Sequence, residues 1–225
     1  MKKTAILIMA FLMIIVTGCK DSKENDAIKF KEEYESLNGV ETSTASQKYR
    51  TITISEENPF KYVELDEINR KIENKETFIV YFGANWSPWC RSVLPTFIEE
   101  SKENKIDTIY YVNVRPENDI EKDIRDIYSL DESDKPYISH KGTSAYHKFL
   151  TYASDVLSDY SSNGVKVEGV KRVGAPNFII VNNGKVVEKI NGISSKQDNA
   201  YAELNDEIIK DMQETFMIFF EKLEK

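Results

Sequence analysis

The sequence predicts an α/β domain built on a mixed β-sheet with helices on both faces. Two apolar runs rich in β-branched and aromatic residues, 78–82 and 107–114, have the length of buried strands. A helical pattern separates them, and this strand–helix–strand order predicts parallel pairing. Asn183-Gly184 lies between two further strand patterns and is a strong hairpin signal, so an antiparallel edge is expected as well.

The first eighteen residues have the composition of an export signal. Lys2 and Lys3 precede an apolar run over 5–16, which is too short to span a bilayer but has the length of a signal-peptide core. The ending Val16-Thr17-Gly18-Cys19 resembles a bacterial lipobox. The resemblance implies a lipoprotein signal peptide over 1–18 and an acylated Cys19 that anchors the chain to the extracytoplasmic face of the cell membrane. The alternative is an ordinary secreted protein in which Cys19 is incidental.

Composition limits the partners of the mature chain. The full chain has a formal charge of −8, and removal of Lys2 and Lys3 leaves 28 basic and 38 acidic residues, a charge of −10. This balance argues against nucleic acid and against direct adsorption to anionic lipid. Roughly 200 residues suit one domain better than two. If Cys19 is lipidated, Cys90 is the only free thiol, and no intramolecular disulfide can form.

The segment that follows Cys19 is predicted to be a lipid-anchored tether over 19–47, with the folded domain over 48–225. The tether is mostly charged and small in composition. It contains three apolar residues that could mark one or two amphipathic helical turns, Phe30, Tyr34 and Leu37.

Two short patterns open the domain. The alternation over 49–54 predicts a strand, and Leu65, Ile68 and Ile72 share one face of a short charged helix.

The most informative stretch, 78–97, places a cysteine at the start of a helix. Strand 78–82 leads into a turn, and Ser87-Pro88 then has the signature of a helix start, with a capping serine and a proline at the first helical position. Cys90 is therefore expected in the first helical turn, where backbone N–H groups and the helix dipole can lower the pKa of a thiol. The apolar side of this helix carries Trp89, Val93, Leu94, Phe97 and Ile98.

Residues 131–170 are predicted to be an insertion. A helix carrying Ile120, Ile124 and Ile127 is expected before it. The insertion begins with polar, turn-prone residues and continues as an amphipathic helix that stops at 161–164. That helix carries Tyr146, Phe149, Leu150, Ala153, Val156, Leu157 and Tyr160.

The end of the chain predicts a hairpin and a long helix. Strands over 178–181 and 185–190 flank the Asn183-Gly184 turn. The last helix is expected to pack in the core, with a partner groove as the alternative. Its apolar face comprises Tyr201, Leu204, Ile208, Met212, Phe216, Phe219 and Leu223.

These elements resemble those of the thioredoxin-like superfamily. The family has a strand, a small-Ala-x-Trp-Cys-x-x-Cys turn and a helix with an internal proline; this chain reads GANWSPWC over 83–90, followed by Pro95. The family's second landmark, a cis-proline before an Asn-Gly hairpin, is matched by Gly174-Ala175-Pro176 and Asn183-Gly184. The two landmarks cover roughly 49–115 and 170–223. The resemblance implies a thioredoxin-like mixed sheet with a helical insertion before the cis-proline strand.

A Pro-Trp-Cys motif behind a lipobox is also similar to small thioredoxin-like lipoproteins of Gram-positive bacteria, some of which are accessory to bacteriocin export. This likeness implies a membrane-anchored envelope protein.

The departures from the family pattern concern catalysis. Cys90 falls on the family's second, resolving cysteine, and Ser87 stands where the attacking cysteine is expected. The dithiol cycle needs an exposed thiolate to attack a disulfide, and the motif holds no base that could activate Ser87 instead. Tyr81 stands where many family members have a buried acid. The resemblance therefore implies thiol-disulfide oxidoreductase ancestry without two-cysteine turnover.

The resemblance also implies a peptide-binding ledge formed by Trp86, Pro88, Trp89, Ala175 and Pro176. Its expected partners are protein thiols or extended peptide segments. Packing is the alternative role for the two tryptophans, and an ordinary trans loop proline is the alternative for Pro176. Beneath the ledge, Cys90 is either an inert, half-buried thiol or a slow monothiol that forms mixed disulfides.

Other chemistry has little support in the sequence. His140 and His147 could share a helical face, but no cysteine lies near them, and no metal is expected. There is no glycine-rich phosphate loop and no serine nucleophile elbow, and no cofactor is predicted.

Three functional hypotheses follow. The first is a membrane-tethered thioredoxin-like protein whose altered site is inactive or reacts as a monothiol. The second is a non-enzymatic interaction module for an envelope partner, such as an export accessory protein. The third is that Ser87 replaces a native cysteine in an active oxidoreductase with a Cys-Pro-Trp-Cys motif.

Overall fold

The computed structural model describes residues 22–42 and 46–224. The predicted signal peptide, its cleavage site and Cys19 lie outside these residues. Within them, no helix combines the length and the apolar character that crossing a membrane requires.

The described elements alternate between strands and helices along most of the chain. In order they are α1 (Ser22–Glu35), β1 (Phe60–Tyr62), α2 (Leu65–Glu73), β2 (Phe78–Gly83), α3 (Pro88–Glu103), β3 (Ile109–Asn113), β4 (Ile127–Leu130), β5 (Pro136–His140), α4 (Ser144–Ala153), β6 (Asp159–Ser162), β7 (Val165–Lys171), β8 (Asn177–Asn182), β9 (Lys185–Ile190) and α5 (Asp206–Phe220).

A five-stranded mixed sheet forms the centre, in the order β1-β3-β2-β8-β9. Strands β1, β3 and β2 are parallel, whereas β8 runs antiparallel to β2 and β9 antiparallel to β8. Tyr81 pairs with Tyr111 on one side and Phe178 on the other, at the middle of the sheet. The predicted thioredoxin-like mixed α/β fold is confirmed, including the Asn183-Gly184 hairpin.

Helices cover both faces of this sheet. On one face, Phe30 of α1, Phe97 of α3 and Phe216 of α5 pack with Tyr81 and Phe178. On the other face, α2 and α4 bury an aliphatic and aromatic cluster against the sheet, which includes Ile68, Ile72, Val80, Tyr146 and Phe149. Strand β2 is buried along its whole length because both faces are covered.

The segment predicted to be a tether instead contributes α1 to the core. Phe30 and Tyr34 lie one helical turn apart and are fully buried against the sheet. The many charged residues of this segment are compatible with a helix because they occupy its other faces. The packed fold therefore includes 22–42 and does not begin at residue 48.

The strand predicted over 49–54 is also absent from the described sheets. Ile52 and Ile54 are buried, but their backbone pairs with other groups: Ile52 N–H donates to Asn38 Oδ1, and Ile54 N–H donates to Glu35 Oε1. The edge strand beside β3 is instead β1, which begins eight residues beyond Ile52.

The helix predicted around Ile124 does not form. Two short 3₁₀ turns, Pro116–Asn118 and Ile120–Lys122, precede β4. The Asp123 carboxylate accepts a hydrogen bond from Arg125 N–H, and Ile124 N–H donates to Val114 O. Neither N–H group therefore forms a helical hydrogen bond.

The insertion is mixed rather than mainly helical. It holds β5, which pairs with β4 just before the insertion, then helix α4 and the hairpin β6–β7. Helix α4 ends at Ala153, and Tyr160, which was predicted to lie on it, belongs to β6. Asn163 and Gly164 both have positive φ (50° and 79°) at the β6–β7 turn, the geometry that a tight two-residue hairpin requires.

Candidate functional site

Ser87 begins the helix that carries the cysteine. Its Oγ accepts a hydrogen bond from Cys90 N–H at 3.3 Å, and Pro88 occupies the first helical turn, where its missing N–H costs nothing. Strand β2 ends four residues earlier at Gly83. The predicted strand–turn–helix geometry is confirmed, and Cys90 lies in the first turn of α3.

The proline loop lies directly opposite this cap. The Ala175–Pro176 peptide bond is cis, as the resemblance implied. Ser87 Oγ donates a hydrogen bond to Ala175 O at 3.3 Å, which joins the start of α3 to the loop before β8. The fold therefore brings Ser87, Cys90, Ala175 and Pro176 together from two distant parts of the sequence.

Cys90 is a buried thiol. The residue has no exposed surface and packs among core side chains. Burial raises its pKa above the ordinary thiol value, and hydrogen bonds with Ser87, Tyr81 and the Ala84 backbone offset this only in part. Because the thiolate is the nucleophile, Cys90 in this environment is held in its unreactive form at neutral pH.

A tyrosine pair takes the place of the acid that the resemblance implied. Tyr81 lies close enough to Cys90 to influence the pKa of the thiol, and its hydroxyl hydrogen-bonds with that of Tyr34 at 3.1 Å. Burial raises the pKa of both tyrosines far above the ordinary value, so neither can serve as a base near pH 7. The sequence placed Tyr34 on a possible amphipathic helical turn with Phe30, but it did not predict that Tyr34 lies beside Tyr81.

The tryptophans of the motif are half-buried, and Trp86 is held in place. Its Nε1–H donates to Arg115 O at 2.9 Å, and the Arg115 guanidinium lies 5.1 Å from the centre of the Trp86 ring. Pro88 and Trp89 are also half-buried, on the first turn of α3. Of the five ledge residues, Pro176 is buried and the other four are half-buried.

Arg115 belongs to a buried charge cluster that the sequence did not reveal. Asp123 accepts hydrogen bonds from Arg115 Nε at 2.7 Å and from Arg125 Nε and Nη2 at 3.0 and 2.9 Å. Arg125 also donates to Val173 O, two residues before Ala175. The cluster therefore fixes Trp86 and the proline loop relative to each other.

A second buried arginine follows Cys90 directly. The Arg91 guanidinium has no exposed surface and donates to Tyr34 O, Asn38 Oδ1 and Arg50 O. Burial lowers its pKa, although the group remains a cation at any physiological pH. Arg91 links α3 to the C-terminal end of α1. The dipole of α1 favours a positive charge at that end.

The two histidines do not converge. His147 Nε2 lies 3.0 Å from Asp126 Oδ1, whereas His140 Nε2 lies 2.8 Å from Asp123 O. Residues 22–42 and 46–224 hold no group of three or more histidine, cysteine or acidic side chains with metal-binding geometry.

Comparisons with known proteins found a similar solved structure but no family match. No family model matches the chain, and no curated protein sequence matches it either. Among solved structures, the chain is similar to oxidised thioredoxin O2 from Arabidopsis thaliana, with 12% sequence identity and a TM-score of 0.33, over 72% of this chain and 96% of that one. This likeness concerns the fold alone.

Proposed function

We propose that this protein is a membrane-tethered, extracytoplasmic member of the thiol-disulfide oxidoreductase lineage that binds extended peptide segments without dithiol turnover. One observation carries the proposal: Cys90 lies fully buried beneath Ser87, whose hydroxyl bridges Cys90 N–H and Ala175 O. A serine at the attacking position supplies no thiolate, and a buried thiol with a raised pKa does not replace it.

The peptide-binding role is supported by backbone geometry. Ala175 N–H donates no hydrogen bond to the described backbone, and Pro176 has no N–H. An extended segment lying across Ala175 gains main-chain hydrogen bonds of the kind that strand addition provides. Half-buried Trp86 and Trp89 offer rigid aromatic surface beside it.

The test is a disulfide reductase assay on the full-length protein purified in detergent. We expect no turnover from the unaltered protein. Ser87→Cys should gain turnover, because that change completes a Cys-x-x-Cys pair at the start of α3. Ser36→Cys, which adds a thiol at an exposed position on the surface, is the matched control and should remain inactive.

Thiol labelling separates the remaining possibilities. We expect Cys90 to resist a thiol reagent in the folded protein and to react once the protein is unfolded. Rapid labelling in the folded state would support a working monothiol instead. A Ser87→Cys variant that folds but gains no turnover would count against the oxidoreductase lineage, and full activity in it would favour the hypothesis that Ser87 replaces a native cysteine.

A second candidate function is a non-enzymatic interaction module in the envelope. The observation that favours it is the exposure of three apolar side chains on the hairpin β4–β5, Leu130, Tyr137 and Ile138, each more than two-fifths exposed. A photo-crosslinking residue placed at Tyr137 should capture a partner in cells under this hypothesis. The same residue at Val187, an equally exposed position on β9, is the control.

We propose anchoring through Cys19 on the strength of the lipobox-like sequence. Two residues lie between Cys19 and Ser22, where α1 begins, and three residue steps span at most about 11 Å, so the domain would lie close to the membrane surface. Labelling of cells with an alkyne fatty acid should mark the protein. We expect Cys19→Ser to abolish the label and Cys90→Ser to leave it intact.

A further inference from the structure

The charge cluster beside the peptide ledge holds more positive than negative charge. Asp123 is the carboxylate within it, and it pairs with two guanidinium groups, those of Arg115 at 2.7 Å and Arg125 at 2.9 Å. One negative charge therefore faces two positive ones. This surplus is local, because the chain as a whole carries a formal charge of −8. Unmatched positive charge at one place on an acidic protein attracts anionic ligands to that place.

A third guanidinium adds to the surplus. Burial lowers the pKa of Arg172, and the nearby charge of Arg125 lowers it further, although the group remains a cation at physiological pH. Arg172 Nη1 donates to the Asp126 carbonyl oxygen at 2.8 Å, and the guanidinium has no ion-pair partner among residues 22–42 and 46–224. The Asp126 carboxylate instead accepts a hydrogen bond from Gly142 N–H and lies 3.0 Å from His147 Nε2.

Arg115 presents open donors beside the ledge. Its Nε is bound to Asp123, whereas its Nη1 and Nη2 make no hydrogen bond within the described part of the chain and are not buried. The side chain is 18% exposed, and its guanidinium lies 5.1 Å from the centre of the half-buried Trp86 ring. A ligand that packs on Trp86 therefore meets a fork of N–H donors, the arrangement that binds a carboxylate through two hydrogen bonds.

We propose that the ledge selects peptide segments that carry a carboxylate, which pairs with the Arg115 guanidinium beside Trp86; this selectivity rests on the peptide-binding function proposed above. The backbone of the segment lies across Ala175, and its carboxylate accepts hydrogen bonds from Nη1 and Nη2 of Arg115. The same carboxylate offsets the positive charge that Asp123 alone leaves unmatched. It belongs to an acidic side chain or to the C-terminus of the peptide.

The test is calorimetric binding of short peptides to the full-length protein in detergent. The first pair is acetyl-Ala-Val-Glu-Val-Ala-amide and its neutral isostere with glutamine at the centre. The second pair keeps glutamine at the centre and compares a free C-terminus with the amide, so the two pairs separate a side chain from a terminal carboxylate. A capped peptide with lysine at the centre tests charge reversal.

We expect a carboxylate peptide to bind at least tenfold more tightly than its neutral counterpart in one pair or both, and the lysine peptide to bind most weakly. An increase in salt from 50 to 500 mM should weaken the preferred peptide far more than the neutral one. Equal affinity within both pairs would overturn the carboxylate selectivity and leave the peptide-binding function standing. No binding of any peptide at 10 mM would overturn both.

A variant of Arg115 locates the selectivity. Arg115→Gln should weaken binding of the preferred peptide at least tenfold and change that of its neutral counterpart less than twofold. A merely structural arginine would affect both peptides alike, because its loss would disturb the ledge itself. Arg70→Gln removes the same charge from an exposed position on α2 and is the matched control, which should leave both affinities unchanged.

A second variant keeps the charge beside Asp123. Arg115→Lys replaces the fork with a single ammonium, so it should weaken the preferred peptide about threefold to tenfold and retain part of the selectivity. If Arg115→Gln does not fold, this variant and the peptide pairs on the unaltered protein still decide the matter. Undiminished selectivity in Arg115→Lys would overturn the role of the Arg115 fork.

Discussion

Two largely buried carboxylates, Asp123 and Glu33, have different partners in the fold. Asp123 is fully buried and accepts hydrogen bonds from two guanidinium groups, those of Arg115 and Arg125. Glu33 is largely buried and accepts hydrogen bonds from an uncharged hydroxyl and an amide. Burial acts against ionisation at both, yet the pKa of Asp123 is lowered by Arg125 and Arg115, while that of Glu33 is raised.

The difference separates a carboxylate that hydrogen-bonds with cationic groups from one that hydrogen-bonds only with uncharged groups. Asp123 is paired with two guanidinium groups, and these groups in turn hold the Trp86 and Val173 segments in place. Glu33 forms no close ion pair with the described side chains, and the nearby charge of Lys29 offsets the effect of burial on its pKa only in part. The ionised form of Glu33 is therefore less well stabilised than that of Asp123.

The largest effect on stability is expected from removing the charge of Asp123. Asp123→Asn leaves Arg115 and the buried Arg125 without a counter-charge, and loss of one partner of a buried ion pair costs about 3–5 kcal/mol in the free energy of unfolding. Urea denaturation followed by circular dichroism measures this. Asp159→Asn, which breaks an exposed pair with Lys171, is the control and should change stability far less. Equal losses in both variants would show that Asp123 is not a structural centre.

Removal of the Tyr111 hydroxyl, which lies near Glu33, should change stability in the opposite direction. Tyr111→Phe removes a buried hydroxyl that lacks a hydrogen bond, and we expect the free energy of unfolding to increase by about 1 kcal/mol. The control is Tyr34→Phe, which removes a hydroxyl paired with Tyr81 and should lower stability instead. A loss of stability in the Tyr111 variant would mean that the hydroxyl has an internal partner after all.

The sequence predicted the parts of this molecule that depend on local signals. Ser87-Pro88 specified the start of α3, and Asn183-Gly184 specified the β8–β9 hairpin, because capping and turn chemistry act over a few residues. The resemblance to the thioredoxin-like superfamily, and no local signal, singled out Pro176 before that hairpin. From these signals the sequence predicted the antiparallel edge of the sheet and the ledge residues at the start of α3.

The residues that sequence reasoning missed are those whose partners are remote. Asp123 and Arg125 lie close together in sequence, but the third and fourth members of their cluster, Arg115 and Val173, come from other segments. Arg91 likewise depends on carbonyls of α1 and of residue 50. No periodicity marks such contacts, and the isoleucine spacing around 124 predicted a helix that these hydrogen bonds override.

The smallest effect is a difference in pH dependence between the two carboxylates. The folded-state pKa of Glu33 is raised above the ordinary value of 4.5, so the unfolded chain releases this proton first. Stability from this group therefore falls as pH rises from the ordinary glutamate range through the raised pKa, and the loss is complete above it. Asp123 has the opposite sign: its lowered pKa supplies stability above the ordinary aspartate value of 3.8, which is lost as pH falls through the folded-state value.

Glu33→Gln cannot titrate, so its free energy of unfolding relative to the unaltered protein should rise with pH across the window in which Glu33 ionises. Urea denaturation of both proteins from pH 4 to pH 8 measures that difference, and Glu32→Gln in parallel corrects for the loss of one negative charge from α1. The contribution of Asp123 is common to all three proteins and cancels. If that difference instead falls with pH, the folded protein stabilises the ionised form of Glu33, as it does for Asp123. The two carboxylates would then not differ in the way described above.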